Sequence, residues 1–356
     1  MIFSKTVNNW YSINKRELPW RGSKNPYKIW LSEIILQQTQ VKQGLPYYEA
    51  FVTKFPTVFD LANAEEETVL KLWQGLGYYS RARNLHTTAK YIVDELNGVF
   101  PETYDQLLKL KGVGDYTASA IASICFNEAF AVVDGNVYRV LSRYFGIKTA
   151  INSTLGKKEF KLLAQKLLPK GSFGDYNQAV MEFGAKQCKP SSPDCSVCPL
   201  NSSCAALEKD LIKTLPVKEK KTKLSHKFFN FVVYISEDKK TILEQRVEKG
   251  IWHKLYQFPL VESAKSIKHN AFKNLLKDLT HLKSANYSFH LYNEKDIIHK
   301  LSHQHLHCKF WIVLIDELPK KAISIKDIDR FAVPAVIEKF LNAFNFETIS
   351  INSQNE

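Results

Sequence analysis

The sequence lacks the features that direct a chain to or across a membrane. No uninterrupted apolar run approaches the roughly 18 residues that a helix needs to span a bilayer. The first ten residues, Met1 to Trp10, contain no basic segment followed by an apolar one, so they do not have the pattern of a secretory leader. We therefore expect a soluble protein that works in the cytoplasm and does not bind a membrane.

Negative charge is also in short supply. The 36 Asp and Glu residues are outnumbered by 49 Lys and Arg residues, which gives a formal net charge of +13 and a pI near 9.2. Such an excess attracts polyanions at long range, so nucleic acid is the first partner to consider, although a basic surface can also serve solubility alone. The 356 residues, 45% of them hydrophobic, allow two or three domains with sizeable cores.

Cysteine is rare outside one short segment. Cys125 and Cys308 stand alone, and the other four cysteines are clustered in the sequence: Cys188, Cys195, Cys198 and Cys204. Disulfides are rare inside cells, so the clustered thiols are better interpreted as metal ligands. Four thiolates suit either zinc or an iron–sulfur cluster. Zinc ribbons usually contain two C-x2-C pairs and this segment has one, so the spacing favours the cluster.

The stretch from Leu110 to Ile121 contains two glycines, Gly112 and Gly114, between two apolar helical patterns. This arrangement predicts a helix, a hairpin turn and a second helix. The N–H groups that open the second helix would face outward, where the helix dipole favours an anion such as phosphate. An ordinary glycine connection between two packed helices explains these residues equally well when they are taken alone.

Two carboxyl groups are distinguished by their surroundings. Glu33 lies in an apolar helical pattern predicted from Tyr27 to Val41, where burial would raise its pKa and keep it protonated near neutral pH. Asp134 precedes a later helix at the N-cap position, where N–H groups and the helix dipole would lower its pKa. The alternatives are that Glu33 is a structural carboxylate bonded to Gln37 and that Asp134 is a plain helix cap. Glycosidic cleavage uses such a pair, in which one carboxyl group is the acid, here Glu33, and the other is the anion, here Asp134.

Apolar residues spaced three and four apart predict further helices at 47–54, 58–64, 65–73, 81–96 and 116–126. The loop from Gln74 to Arg83 combines glycines, aromatic residues and arginines. Such a loop can insert a wedge between stacked bases while its cations hold phosphates. A packed turn is an equally good interpretation of the same residues.

The pattern changes after residue 212. Residues 213–227 include six lysines and few apolar side chains, which predicts a charged linker. Strands are then predicted at 228–235, 240–246 and 308–315, and helices at 264–279 and 334–344, so this domain is expected to be α+β. His303, His305 and His307 alternate beside Cys308, but zinc is the less favoured interpretation of that run.

Together these features resemble the endonuclease III superfamily of DNA glycosylases, and most closely its adenine DNA glycosylase (MutY) branch. The shared motifs are the hairpin at 110–121, Val133-Asp-Gly-Asn136 and the spacing C-x6-C-x2-C-x5-C, which is the family's [4Fe–4S] loop. The segments 19–21, 30–33, 36–40 and 75–83 resemble the adenine branch in particular.

The resemblance implies a multidomain protein with an all-α helix–hairpin–helix glycosylase region at 1–212. A six-helix lobe would cover about 25–133, and an iron–sulfur lobe would combine 1–24 with 134–212. The linker 213–227 would lead to a Nudix-like α+β domain at 228–346 and a disordered tail at 347–356. The second domain lacks an acidic box of the R-E-x-x-E-E kind, so we expect neither pyrophosphate hydrolysis nor a nucleotide cofactor.

The resemblance also implies an activity: a monofunctional glycosylase of base excision repair that acts, as a monomer, on adenine opposite 8-oxoguanine or guanine in double-stranded DNA. Glu33 would protonate the adenine and handle the water, Asp134 would stabilise the charge on the deoxyribose, and Asn136 would support both carboxyl groups. Tyr116 stands where bifunctional relatives carry a catalytic lysine, and a phenol cannot form a Schiff base. The alternatives are a bifunctional pyrimidine glycosylase and lyase, and a noncatalytic module that binds damaged DNA.

Binding residues follow from the same resemblance. The adenine pocket would consist of Arg16, Leu18, Arg21 and Glu182. The expected contacts with the duplex, its phosphates and the opposite base are Gln38, Thr39, Leu76, Tyr78, Gly112, Gly114, Ser302 and His303. Two residues depart from the family pattern: Asp115 adds a negative charge beside the expected phosphate site, and Leu301 replaces the phenylalanine that precedes the serine and histidine.

Overall fold

The computed structural model describes residues 2–219, 224–277 and 286–348, and the chain divides into two compact units. The first unit contains the described residues up to 64 and from 83 to 219. The second contains 65–82 together with the described residues from 224 onward. The prediction of a domain boundary at residues 213–227 did not anticipate that 65–82 would belong to the same unit as the C-terminal region.

Most of the chain up to residue 219 is helical. The helices are α1 Ile2–Asn14, α2 Pro26–Leu36, α3 Val41–Lys54, α4 Val58–Asn63, α5 Glu66–Leu72, α6 Ser80–Leu96, α7 Tyr104–Leu107, α8 Asp115–Phe126, α9 Gly135–Phe145, α10 Thr154–Leu167, α11 Phe173–Lys186 and α12 Ala205–Glu208. Among the described residues, none of the helices combines the length and apolarity that crossing a membrane requires.

Helix α2 carries Glu33 and has clear signals at both ends. The Asn25 side chain accepts a hydrogen bond from the Lys28 N–H, and Pro26 occupies the first turn, where its missing N–H costs nothing. The helix ends at Leu36, and the prediction that it continues to Val41 is wrong. The reason lies in the backbone: Gln38 adopts a left-handed φ of 56°, which a right-handed helix cannot contain.

A buried apolar core joins the first helix to elements far away in sequence. Phe3 and Val7 of α1 belong to the same cluster as Leu141 of α9, Phe160 of α10 and Phe183 of α11. Apolar burial of this kind is the main stabilising contribution to a helical domain. This core fixes helix α9, which follows Asp134, and helix α11, which contains Glu182.

The second unit is built on a twisted sheet. Its strands are β1 Ser225–Ser236, β2 Lys240–Thr241, β3 Glu244–Gln245, β4 Tyr256–Gln257, β5 Leu260–Ser263, β6 Tyr287–Leu291, β7 Ile297–Lys300, β8 Gln304–Ile315 and β9 Ile323–Ser324, and its later helices are α13 His269–Lys277 and α14 Ala335–Ala343. Long strands β1 and β8 run parallel at the centre, in the order β5-β1-β8-β6, and β7 also pairs with β8. Phe272 of α13 stacks on Trp311 of β8 with ring centroids 4.0 Å apart.

Several predicted boundaries in this unit are corrected. Strand β1 begins at Ser225, inside the predicted linker, and the strand predicted at 240–246 is two short strands. Helix α13 begins at His269, five residues after its predicted start at Ala264, and the predicted end at Leu279 lies outside the described residues. In the tail, Phe346–Thr348 form a short 3-10 helix in which the Phe346 ring lies 4.7 Å from Phe344. The remainder of the predicted tail lies outside the described residues.

Candidate active site

Glu33 is a buried carboxyl group on α2. Only 8% of the residue is exposed, and its helical neighbours Trp30 and Ile34 are buried with it. Burial, the largest cause, and the nearby charge of Asp134 raise the pKa of Glu33, and a hydrogen bond from the Tyr116 hydroxyl lowers it; together they bring the pKa to about 7. A large fraction of Glu33 is therefore protonated at neutral pH, as the sequence predicted.

Asp134 caps α9 with both of its oxygens engaged. Its Oδ1 accepts hydrogen bonds from the N–H groups of Asn136 (2.9 Å) and Val137 (2.8 Å), and its Oδ2 accepts one from Asn136 Nδ2 (2.7 Å). The prediction that its pKa is lowered is wrong. Burial raises the pKa of Asp134, and the hydrogen bonds from Val137 and Asn136 oppose that rise without outweighing it.

Tyr116 interacts with both carboxyl groups. Its hydroxyl hydrogen-bonds to Glu33 and lies 3.4 Å from Met181 Sδ. Burial raises the pKa of this phenol well above its ordinary value, and the charges of Glu33 and Asp134 raise it further. The hydroxyl therefore keeps its proton and remains a donor. Because Asp134 influences the pKa values of both Glu33 and Tyr116, and those two groups influence each other, the three groups converge on one site.

The support for Asp134 includes Arg139, a residue that the sequence analysis did not single out. Arg139 Nη2 donates to Asn136 Oδ1 and to the Gly184 carbonyl, both at 2.8 Å, and its Nε donates to the Cys188 carbonyl at 2.7 Å. The cation thus orients the Asn136 amide that bonds Asp134. Its position one helical turn after Asn136 was the available signal, since side chains three apart on a helix are neighbours.

The four residues expected in the adenine pocket are brought together in part. Arg16 donates to Glu182 from its backbone N–H (3.0 Å), Nε (2.7 Å) and Nη2 (2.6 Å), and Arg21 Nη2 donates to the same carboxylate at 2.6 Å. Arg21 Nη1 also donates to the Arg16 carbonyl at 2.7 Å. Burial alone would raise the pKa of Glu182, but these arginines lower it to about 2. Leu18 lies half-buried in the same turn.

The expected phosphate site has the predicted glycine hairpin. Gly112 has a φ of 82°, and a Cβ there would meet Asn84 Cβ at 2.8 Å, so both the backbone and the space require glycine. Gly114 has open space around it and precedes α8. The charge of Asp115 is paired, because Lys161 Nζ lies 2.9 Å from its Oδ1 and Tyr104 Oη donates to the same oxygen at 2.6 Å.

Among the residues expected to contact DNA, Gln38 is exposed and Thr39 half-buried in the turn that ends α2. Tyr78 is 47% exposed with a left-handed φ of 48°, whereas Leu76 is only 6% exposed. The Leu76 side chain would have to leave its packing to enter a duplex, and its contact with DNA stays a prediction. Tyr78 is the accessible member of the loop.

Ser302 and His303 lie exposed in the turn between β7 and β8. The Tyr78 hydroxyl lies 3.2 Å from Ser302 Oγ, so the second unit alone brings together one expected contact from each half of the sequence. In β8, His305 and His307 share a half-buried face, and Cys308 is buried on the other.

The four clustered cysteines are free thiols on the loop after α11. Burial, together with Cys188, Cys195 and Cys204, raises the pKa of Cys198 to about 11, so the four thiols lie near one another. Arg143 Nη1 lies 3.5 Å from Cys188 Sγ. Within the part of the chain that the structure describes, no three His, Cys, Asp or Glu side chains form a group that could hold a single metal ion.

Comparison with known proteins identifies both halves of the chain. Residues 31–170 match the family model described as the HhH-GPD superfamily base excision DNA repair protein, and residues 230–343 match the NUDIX domain model. The helical part is similar to a solved non-covalent endonuclease III–DNA complex, with a TM-score of 0.51, 25% sequence identity and coverage of 59% of this chain and 95% of that one. These matches confirm the predicted fold class.

Two relatives match over most of the chain. The adenine DNA glycosylase of Buchnera aphidicola subsp. Baizongia pistaciae is 37% identical over 317 residues, which cover 88% of this chain and 87% of the relative. The adenine DNA glycosylase of Buchnera aphidicola subsp. Schizaphis graminum is 37% identical over 355 residues, which cover 96% and 99% of the two chains. The chain therefore belongs to the adenine DNA glycosylase family, the family predicted from its sequence, and is a DNA glycosylase with a Nudix-like C-terminal domain.

Proposed function

We propose that this enzyme removes adenine lying opposite 8-oxoguanine or guanine in double-stranded DNA, by hydrolysing the N-glycosidic bond without cutting the strand. The single observation that supports this most directly is the convergence of Glu33, Tyr116 and Asp134 on one site, with a pKa of about 7 at Glu33. That arrangement supplies an acid at neutral pH beside a second carboxyl group, which is what cleavage through an oxocarbenium ion needs.

In the proposed reaction, a flipped-out adenine accepts the proton of Glu33 on its ring. The bond from N9 to C1′ of the deoxyribose then breaks, and its electron pair leaves with the protonated adenine. The carboxylate of Asp134, fixed by Asn136 and Val137, stabilises the positive charge left on the sugar. Water adds to C1′ and loses a proton to Glu33, which restores the acid.

The monofunctional character of the proposal rests on Tyr116. Its phenol cannot form a Schiff base with the sugar, and its hydrogen bond favours the charged form of Glu33 that receives the proton from water. We expect borohydride to trap no covalent enzyme–DNA adduct during turnover. A trapped adduct on denaturing gels would contradict this step and favour a lyase.

Binding is assigned to residues of both units. Glu182 holds Arg16 and Arg21, so that these side chains and Leu18 form a wall for the extruded base. The Gly112–Gly114 hairpin anchors a phosphate, while Gln38, Thr39, Tyr78, Ser302 and His303 contact the duplex and the opposite base. These contacts offset the few kcal/mol that extruding a base costs. We further propose that the enzyme acts as a monomer in the cytoplasm, on the nucleoid.

We also propose that Cys188, Cys195, Cys198 and Cys204 hold a [4Fe–4S] cluster. Four thiols near one another, with a guanidinium beside one sulfur, are a donor set that suits a thiolate-bound cluster of net negative charge. When bound, the group would join both ends of the loop after α11 and so support Arg139, which bonds the Cys188 carbonyl. Purified protein is expected to absorb near 400 nm and to contain iron, and stoichiometric zinc would contradict the assignment.

The function is tested by a single-turnover assay on a duplex with one adenine opposite 8-oxoguanine. Free adenine and an alkali-labile site are the expected products. Binding of that duplex without release of adenine from it or from the guanine-paired duplex would contradict the proposal and favour a noncatalytic DNA-damage binding module.

A further inference from the structure

The loop from residue 74 to residue 80 is attached at its base to the C-terminal domain. Gln74 Nε2 donates to Glu338 Oε1 of α14 at 2.8 Å, and Gln74 Oε1 accepts from the Val333 N–H at 3.1 Å. Both ends of one amide are thus satisfied by groups 259 and 264 positions further along the chain. Gln74 opens the loop that the sequence analysis singled out, whereas Val333 and Glu338 did not stand out in the sequence.

A second attachment uses the same short segment before α14. The Tyr79 hydroxyl donates to the Val333 carbonyl at 3.3 Å and accepts from the Gly75 N–H at 3.3 Å. Both backbone groups of Val333, which is buried, therefore bind the loop, one through Gln74 and the other through Tyr79. Polar groups with satisfied partners at a buried point hold a defined geometry, because breaking one leaves the other unpaired.

The preceding helix α5 adds contacts of the same kind. Lys71 Nζ donates to the Phe331 carbonyl at 3.1 Å, and Tyr256 Oη donates to Glu67 Oε1 at 2.6 Å. Residues 65–82 accordingly form one compact unit with the C-terminal domain. The exposed end of the attached loop is Tyr78, whose hydroxyl lies 3.2 Å from Ser302 Oγ.

We propose that Gln74 and Glu338 are positioning residues that fix the loop base on α14 and thereby set how strongly the enzyme prefers adenine opposite 8-oxoguanine over adenine opposite guanine. The proposal rests on the proposed function, because it concerns the recognition of the opposite base by Tyr78 and Ser302. Both positioning residues belong to the second unit, whereas Glu33, Tyr116 and Asp134 belong to the first.

The test compares single-turnover adenine release from two duplexes, one with 8-oxoguanine and one with guanine opposite the adenine, at enzyme concentrations below saturation. Gln74→Leu and Glu338→Leu keep side-chain volume and remove the hydrogen bond. We expect each to lower the ratio of the two rates by roughly tenfold, the effect of losing about one well-placed hydrogen bond. At saturating enzyme, the rate of each leucine variant on the guanine duplex should stay within about twofold of the wild-type rate.

Three controls make the result specific. Glu338→Gln keeps an oxygen that accepts from Gln74, so it should retain the wild-type ratio. Glu262→Leu removes a surface ion pair with Lys227 elsewhere in the same unit and should also leave the ratio unchanged. The double variant with leucine at 74 and 338 should resemble Gln74→Leu, because that substitution already removes the hydrogen bond that Glu338→Leu removes. If Gln74→Leu does not fold, the rate ratios of Glu338→Leu and Glu338→Gln are compared instead, and a lower ratio for Glu338→Leu supports the proposal.

The outcomes separate the two proposals. If the wild-type enzyme releases adenine from neither duplex, the proposed function fails. The inference alone is overturned if folded leucine variants keep the wild-type ratio, if they lose activity equally on both duplexes, or if the active wild-type enzyme shows no preference between the duplexes. Duplex binding in a Glu33→Gln background should show the same tenfold loss of preference without turnover.

Discussion

In the proposed reaction, the ionisation of Glu33 controls the rate. With a pKa of about 7, the proton donor is present below neutral pH and is lost above it. The single-turnover rate should therefore fall as the pH rises through about 7. Tyr116→Phe removes the hydrogen bond that stabilises the Glu33 carboxylate, so it should raise that pKa and move the fall in rate to higher pH.

The control for this measurement is Tyr104→Phe, whose hydroxyl bonds Asp115 and not the catalytic carboxyl groups. It should leave the pH profile unchanged. A Tyr116→Phe profile that coincides with that of wild type would show that the hydroxyl does not set the ionisation of Glu33.

The same burial has a cost for stability. The folded-state pKa of Glu33 is raised from 4.5 to about 7, because its carboxyl group must ionise while it is buried. The protein therefore loses stability as the pH rises from about 4.5 through 7. Glu33→Gln removes that cost. The variant should gain stability over wild type on the order of 3 kcal/mol at pH 8 and little at pH 4.5. Urea unfolding at the two pH values measures this difference, and an equal effect at both would contradict it.

The sequence could predict some of these residue properties and not others. The apolar neighbours of Glu33 are adjacent on its own helix, so its raised pKa was visible in the pattern. The N-cap position of Asp134 correctly predicted its hydrogen bonds, but not the burial that raises its pKa, because burial is a property of the folded chain and not of adjacent residues. Arg139 was missed for the same reason, since its partners Gly184 and Cys188 lie on a different element.

At the scale of elements, Glu182 on α11 fixes the turn that follows α1. Its carboxylate is 1% exposed and binds two arginines, which lower its pKa from 4.5 to about 2. The pairing therefore contributes stability that is present above about pH 4.5 and is lost as the pH falls towards 2. Glu182→Gln should lose on the order of 2–3 kcal/mol at pH 7 and differ little from wild type near pH 2.

Chemical or thermal unfolding across that pH range measures the effect. Glu208→Gln, a change of the same kind at an exposed position on α12, is the matched control and should change little at either pH. A Glu182→Gln variant as stable as wild type at pH 7 would show that the arginines do not fix this turn.

Element boundaries were predictable where a local signal marks them. Asn25 and Pro26 begin α2, and the glycines mark the hairpin, because capping and backbone strain are properties of adjacent residues. The end of α2 was missed because Gln38 adopts a left-handed backbone that no local residue type announces. Strand β1 extends into the lysine-rich segment because it pairs with β8 across its whole length, and such pairing depends on residues about 80 positions away.

At the scale of the whole molecule, the division of the chain was the feature least accessible from sequence. Helix α5 has the apolar pattern of an ordinary helix of the first domain, yet residues 65–82 belong to the second unit. The contacts responsible, such as Gln74 with Glu338, join residues far apart in sequence and leave no periodic signal. Family resemblance correctly predicted the helix–hairpin–helix and Nudix-like halves, since both depend on motifs that are contiguous in sequence.

The central claim is that Glu33 acts as an acid and Asp134 as an anion on one extruded adenine. The most direct measurement is single-turnover adenine release by Glu33→Gln and Asp134→Asn at saturating enzyme, with the dissociation constant of the same 8-oxoguanine duplex measured in parallel. We expect both variants to bind the duplex within about tenfold of wild type and to lose at least about a thousandfold in rate. Tight binding with a rate near that of wild type in either variant would contradict the claim.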